Sequence, residues 1–510
     1  MGQARRGRSA RRPGRRGGGE GPSVNAAGGR WRFWTPPDGS IPTLPIPSME
    51  GVRSVHLLGI GGAGMRNLAR LLVARGLSVS GSDVKDSAPL RELGSLGVRI
   101  HVGPDPALLG SPDIVVVSSA IRDDDPELGA AARSAVPIWK RQQAIGALAR
   151  GHRTVAIAGA HGKTTTTSLV AAALEAGGLD PTQLIGGDLN ESGSGARHGT
   201  GDLFVFEADE SDGSFLLIPP WAGVITNLDA DHLDFYPGGL EEIEDAFAEF
   251  AARCDHVVAW GDDPSLARAL ARAGVRAMTY GSSPRCDLQL RVESLGPEGA
   301  RGTVWVDDAE VALRLQVDGA HNLLNAAAAI AVARLAGIPP AASAEALAGF
   351  EGVHRRFEHR GDAGGAEFFD DYGQTPTEME VTVETARRRA PRRLIALVQP
   401  HRYWRVRSLW RELGASVSHA DLVVVTDVYG AAQDPIPGVT GKLVVDGVQL
   451  ASPGLRTVYL PHRSDVVTFL GREMRAGDLL VTMGCGDVWM LGDAIRERID
   501  DRDRGAGSST

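Results

Sequence analysis

The 510-residue chain has no uninterrupted apolar run of about 18 residues, which excludes a bilayer-spanning helix. Cysteine is scarce. Cys254, Cys286 and Cys485 lie far apart, with neither metal-ligand spacing nor an even-numbered framework, so a disulfide scaffold and a cysteine-held zinc site are both excluded. Such usage fits a reducing cytoplasm, and each thiol reads as a small buried hydrophobe rather than a nucleophile. No short-period repeat is present. No secretory apolar core opens the chain either: residues 1–48 are Arg/Gly-rich and then Pro-rich, too polar to bury a core of their own. This segment carries nine arginines against Glu20 and Asp38, a charge of +7 within a formal total of −9, which leaves −16 for the remainder. A basic arm of this kind can in principle contact nucleic acid, but the acidic body argues against it. Residues 1–48 are read as a disordered extension, or as translation assigned upstream of a start at Met49.

What is present is the composition of a globular chain too long for one ordinary domain. The 65 glycines imply many tight turns. From Arg53 the pattern is βα-like: SVHLLGI, a glycine turn, the helical NLARLLVARG, then LSVSGSD, VRIHV and DIVVVSSAI as short buried strands. A second unit starts at Thr154 and carries DLFVFEAD, AGVITNL and an alanine-rich helix after His321; a third carries RRLIALVQ, DLVVVTDV, TVYL and DLLVTMG. The fold class is α/β, with domains expected at 49–150, 151–352 and 353–500 and a polar tail, expected to be disordered, at 501–510.

The chemistry-bearing strings stand at the ends of these strands. Gly59-Ile-Gly-Gly-Ala-Gly64 follows a strand and opens a helix, with Asp83 ending the next strand. It suits a dinucleotide, a nucleotide-diphosphate sugar or merely tight packing. Gly159-Ala-His-Gly-Lys-Thr164 is a compact phosphate loop, in which backbone N–H groups and Lys163 take phosphate charge and Thr164 takes Mg²⁺. Glu207-Ala-Asp-Glu-Ser-Asp212 ends a strand where a carboxylate can reach that metal, and His232 lies in Asn227-Leu-Asp-Ala-Asp-His-Leu-Asp234, just after another. Each acidic string alone is equally a helix-capping turn; together, after a phosphate loop, they point to metal-assisted phosphoryl chemistry. His321, Asn322 and Asn325 share a helix turn, suited to an adenine edge or to capping. Pro400-His-Arg-Tyr-Trp-Arg405 can hold a carboxylate or phosphate, or be a solvated loop.

In this order, with SGSD, VVVSSAI, GAHNLLNAAAA, HRRFE, DDYGQTPTE and MGCGDV between them, the strings resemble the Mur ligase family, and most closely its alanine-adding branch, from about Val52 to Asp493. The resemblance implies an N-terminal Rossmann-like domain for a UDP-linked substrate, a central P-loop ATPase-type domain and a C-terminal Rossmann-like domain closing over the site. It implies ATP and Mg²⁺ as cofactors, UDP-N-acetylmuramate and L-alanine as substrates, no nucleic-acid or membrane partner, and a cytoplasmic monomer or weak homodimer. Activation of the muramyl carboxylate as an acyl phosphate, followed by amine attack, is the implied reaction.

Carried over by the same resemblance, Lys163 stabilises the transferred phosphoryl group, Thr164 and Glu207 hold one metal and His232 a second. Gly159, His161, Gly162, Lys163, Thr164 and Thr165 form the ATP loop; His321, Asn322 and Asn325 take the adenine region, Arg356 the phosphates and Asp371 the ribose. Gly61, Gly62, Gly64, Ser82, Asp83, Ser118 and Ser119 line the UDP pocket. Tyr372, His401, Arg402 and Arg405 face the muramyl carboxylate and the amino acid. One departure concerns the amine: after Asp370-Asp-Tyr-Gly373 the branch carries His-His-Pro, and this chain has Gln374-Thr375-Pro376. A ligase adding a recycled tripeptide, an alanine-adding ligase of altered amino-acid preference, a nicotinamide oxidoreductase and a nucleic-acid ATPase are the competing readings.

Overall fold

The computed structural model describes residues 45–507, apart from 119, 191, 192, 234 and 432. Residues 1–44, most of the expected extension, lie outside the described residues, as do Ser119 and residues 508–510. Pro45, Ile46 and Pro47 are ordered against the helix Arg141–Ala149: Arg150 donates to the Ile46 carbonyl (2.7 Å) and Gln143 to that of Pro45. These three residues were expected within the disordered extension; donors to their backbone carbonyls hold them in place.

Three sheets follow one another along the chain. The first is parallel, in the order Arg99–Val102, Ser78–Asp83, Ser54–Leu58, Ile114–Val117, Ile138–Lys140. Strand order reverses beside Ser54–Leu58, so a crevice opens at its C-terminal end, where ligands bind in doubly wound sheets. The second sheet has ten strands. Its parallel centre is Ala222–Ile225, Arg153–Ala158 and Leu203–Glu207, buried on both faces as runs of Val, Ile, Ala and Phe require. Beyond Met278–Gly281 it continues through Leu288–Gly296, Gly299–Val306 and Ala309–Leu315, the last two pairings antiparallel. This meander was not anticipated from the sequence. Its alternating exposure, as in Ala309–Leu315, marks a sheet with one wet face.

The third sheet runs Glu358–Ala363, Ala366–Asp371, Asp478–Met483, Arg393–Val398, Leu422–Val425, Arg456–Tyr459, parallel but for the first pair. The final helix, Trp489–Gly507, extends beyond residue 500, where a disordered tail was expected. Arg502 Nη1 donates to the Gly471 carbonyl (3.1 Å) and Arg504 pairs with Asp501 (2.5 Å), side-chain contacts that support this last stretch. Among the described residues no helix is long and apolar enough to cross a membrane.

The first two units are bound by polar contacts that look misplaced in sequence. On the helix Ala63–Ala74, Arg66, Asn67 and Arg70 are buried, because this face meets the central unit rather than solvent. Arg66 and Arg70 both pair with Asp188, and Asn67 donates to the carbonyls of Ile185 and Gly187. The third unit meets the second through side chains of the cleft described next.

Candidate active site

The strand Arg153–Ala158 runs into the loop 159–162, and the helix Lys163–Ala176 starts at once. Gly159 (φ +127°) and Gly162 (φ +79°) hold backbone that side chains disfavour, and a Cβ on Gly162 would lie 2.8 Å from Asn325 Oδ1. With glycine at the N-cap, the first helical N–H groups remain available to an anion. Lys163 Nζ donates to the Gly159 carbonyl (2.6 Å) and lies 2.8 Å from both oxygens of Glu210. Burial opposes its charge, but the carboxylates of Glu210 and Asp209 outweigh that and raise its pKa. Glu210 itself is pushed up to about 7 by burial, in spite of the lysine.

Around this pair stand the expected metal-binding residues. Thr164 Oγ1 receives Arg356 Nη2 at 3.4 Å, and Thr165 is buried on the same turn. Glu207, at its strand end, accepts from the Gly186 N–H (2.7 Å). His232 has φ +54° and places Nε2 3.4 Å from Asp231 and 3.9 Å from Glu210. Burial lowers its pKa to about 4, Asp231 resists, and Arg402 and Arg405 lower it further, so the ring is neutral and offers a lone pair.

From the third unit, the run His401 to Arg405 enters at the head of the helix Tyr403–Ser416. Arg402 (φ +64°) sets Nη1 3.4 Å from His232 Nδ1. Arg405 is engaged on every side. Nε and Nη2 grip Asp231 at 2.8–3.1 Å, while Nη1 lies 3.1 Å from both Gln374 Oε1 and His401 Nδ1. His401 is buried and stacks on Tyr429, and burial together with both arginines keeps it neutral. Tyr372 lies under the guanidinium groups of Arg355 and Arg356, at 5.0 and 5.1 Å.

At the N-terminal crevice, Asp83 Oδ2 accepts from the Gly61 N–H (2.9 Å), so it braces the glycine turn; Gly62 caps the helix that follows, and Gly64 abuts Arg141. Ser118 ends the strand across the switch point, with its N–H on the Leu58 carbonyl. Ser82 bonds inward to Glu127. That carboxylate also takes His101 (2.5 Å) and the Asp105 N–H, in a cluster with His56, whose Nδ1 meets Ser80 while its Nε2 is buried without a partner.

His321 lies in the first turn of the helix Ala320–Leu335, Asn322 donates back to the Asp318 carbonyl (2.7 Å), and Asn325 reaches the phosphate loop. The oxygens of Asp371 accept from the N–H groups of Phe357 (2.8 Å) and Gly373 (2.7 Å) and from Thr382, and it is 8 % exposed. It staples its own loop from among these backbone donors. Sequence reading missed Glu210, Asp229, Asp231 and Glu378, each inside a string already noted; the capping-box spacing Thr375-Pro-Thr-Glu378 was a readable signal for the last.

Three family models match the chain in order: the Mur ligase family catalytic domain over residues 54–153, the Mur ligase middle domain over 157–333, and the Mur ligase glutamate ligase domain over 355–486. The chain belongs to the Mur ligase family. Among curated Mur ligases, it is 44 % identical over 467 residues to a UDP-N-acetylmuramate–L-alanine ligase of Acidothermus cellulolyticus, covering 89 % of this chain and 97 % of that one. It is 47 % identical over 460 residues to the enzyme so named from Kineococcus radiotolerans, with coverage of 88 % and 96 %. The UDP-N-acetylmuramate-alanine ligase of Thermotoga maritima superposes with a TM-score of 0.76 at 28 % identity, over 88 % of this chain and 99 % of that one. A murein peptide ligase of Psychrobacter arcticus gives 0.69 at 25 % identity, with coverage of 88 % and 99 %.

Proposed function

We propose that this Mur ligase joins L-alanine to the carboxylate of UDP-N-acetylmuramate with hydrolysis of ATP to ADP and phosphate, a step of peptidoglycan precursor synthesis. The observation that carries the proposal is full-length likeness to relatives of that name, at 44–47 % identity across all three units. The geometry supports the same chemistry. A carboxylate is a poor electrophile; transfer of the γ-phosphoryl group to one of its oxygens, with ADP leaving, makes an acyl phosphate that an amine can attack. The nitrogen adds to the carbonyl carbon, phosphate leaves and the amide remains.

Lys163 and the head of its helix face the transferred phosphoryl group, whose charge is spread over oxygens, so fixed positive charge there lowers the barrier. Glu210 holds that ammonium in place. The residues suit hard divalent cations at two positions: the Thr164 hydroxyl with the Glu207 carboxylate would hold one, and the neutral imidazole of His232 the other. Mg²⁺ held there would supply neutralisation of phosphate charge. Arg402, whose guanidinium meets His232 alone among the described residues of the cleft, is the cation best placed for the muramyl or amino-acid carboxylate, whereas Arg405 is committed to Asp231, Gln374 and His401. The glycine turn 59–64 with Ser118 takes the UDP group, and Asn325 the nucleotide side of the phosphate loop.

Gln374 gives the tripeptide-adding reading its one foothold, since it stands where the amine enters. Phosphate release from ATP and Mg²⁺ with UDP-N-acetylmuramate, compared among L-alanine, glycine, L-serine and the cell-wall tripeptide, tests both. L-alanine-dependent release is expected; release with the tripeptide alone would move the substrate.

A further inference from the structure

The histidine of the phosphate loop has surroundings that point to a further part for it. Its backbone is pinned from below: His161 N–H donates to Asn227 Oδ1 (2.9 Å), and its carbonyl accepts from Thr226 (2.6 Å) and Asn227 (3.0 Å). Its ring lies between two carboxylates of different units. Nε2 is 2.8 Å from Asp229 Oδ2 of the central unit, and Nδ1 is 3.3 Å from Glu378 Oε1 of the third. Glu378 Oε2 in turn accepts from the Gln374 N–H (3.0 Å), the Thr375 N–H (3.2 Å) and Thr375 Oγ1 (3.1 Å). Thr377 Oγ1 closes the figure on Asp229 Oδ2 at 2.8 Å.

Resting on the ligase reading above, we propose that His161 is a positioning residue that couples the two ends of the cleft: through Glu378 it ties the phosphate loop to the Gly373–Pro376 loop beside the amine pocket. Nε2 is hydrogen-bonded to Asp229, whereas Nδ1 meets Glu378 at an ion-pair distance without hydrogen-bond geometry, so the ring draws Glu378 in only when it carries its second proton. The ring's pKa agrees in direction: burial lowers it, but Asp229 and Glu378 outweigh burial and raise it to about 9. These two acids are the titratable groups that face it, and Arg356 acts on Glu378 from the far side. Nucleotide that orders the phosphate loop then orders the third unit, and the Gln374 loop with it. By reciprocity, ligands at the amine end tighten nucleotide binding.

The test uses the full chain and its His161→Gln, Glu378→Gln and doubly substituted forms, each checked for an unchanged cooperative melt. Two readings are taken. The first is compaction, by small-angle scattering, on adding Mg²⁺ and a non-hydrolysable ATP analogue, which needs no assumption about the amine. The second is the factor by which UDP-N-acetylmuramate with L-alanine tightens binding of that analogue. Wild-type protein should compact and show a factor of roughly 5–150. Each single variant should lose most of both, and the double variant should lose no more than either single one. Wild-type compaction retained in full by His161→Gln, or additive losses in the double variant, would overturn the proposal. Compaction lost in the variants while wild type shows no dependence on L-alanine would leave the coupling standing and sink the choice of amine instead.

Discussion

The pair Arg405–Asp231 sets the sharpest prediction. Its side chains are 4 % and 15 % exposed, and the guanidinium grips both carboxylate oxygens across the boundary between the second and third units. Asp231→Ala leaves a buried guanidinium facing only Gln374 and His401. Removing one partner of such a pair costs about 3–5 kcal/mol, some two to three and a half orders of magnitude at about 1.4 kcal/mol per tenfold. The cost falls on the closed arrangement alone, because the third unit can swing away and hydrate Arg405. We therefore expect kcat/KM to fall by roughly 10² or more while the melting temperature moves by less than a few degrees, since opening relieves the strain that would otherwise unfold the domain. Asp231→Asn, which keeps an acceptor and loses the charge, should lose less, about 1.5–3 kcal/mol. The assay is phosphate release, with a Mg²⁺ titration as control because His232 is adjacent. A variant with unchanged kcat/KM, or one whose loss is recovered by raising Mg²⁺, would refute the reasoning.

Lys163→Met should abolish phosphate release and leave Glu210 buried without its cation. Glu210 already titrates near 7, above an ordinary carboxyl, so its burial costs stability as pH rises from about 4.5 through 7. The loss in melting temperature on removing the lysine should accordingly be larger at pH 8.5 than at pH 6, and an equal loss at both would contradict this. Asp188→Ala removes the shared partner of Arg66 and Arg70. Amide exchange in residues 63–74 and 182–197 should then accelerate by roughly 10²-fold, about 3 kcal/mol, and protection as in wild type would mean the docking rests on apolar contact. Gln374→His replaces the acceptor that Arg405 and Cys485 share at 3.1 and 2.9 Å. The relative apparent affinities of alanine, glycine and serine should shift, and identical values would show the position to be neutral.

Several features were legible because they are local. The glycines at 159 and 162 announce a backbone that a strand-to-helix turn with a phosphate demands, and the strands flanking them follow from runs such as Val155, Ala156 and Ile157. Thr375 and Glu378 spell a capping box, which the structure forms. The meander from Leu288 to Leu315 escaped notice because its half-exposed alternation is weak beside the buried parallel runs. The loop-stapling part of Asp371 was not legible, because a string gives a carboxylate's identity and not its partners: the fold decides which N–H groups lie within reach, here those of Phe357 and Gly373.

By itself, then, the sequence determined the α/β class, the phosphate loop with Lys163 and Thr164, and the strand end from which Glu207 projects, since each depends on residues within a few positions of one another. Tertiary structure alone decided the pairings across the cleft. Lys163 with Glu210, Arg405 with Asp231, and His161 between Asp229 and Glu378 join residues separated by 47, 174 and, for His161, by 68 and 217 positions. A charge in a sequence does not say which opposite charge it will meet. Closing the chain brings these few together where water is thin and an unpaired charge is costly.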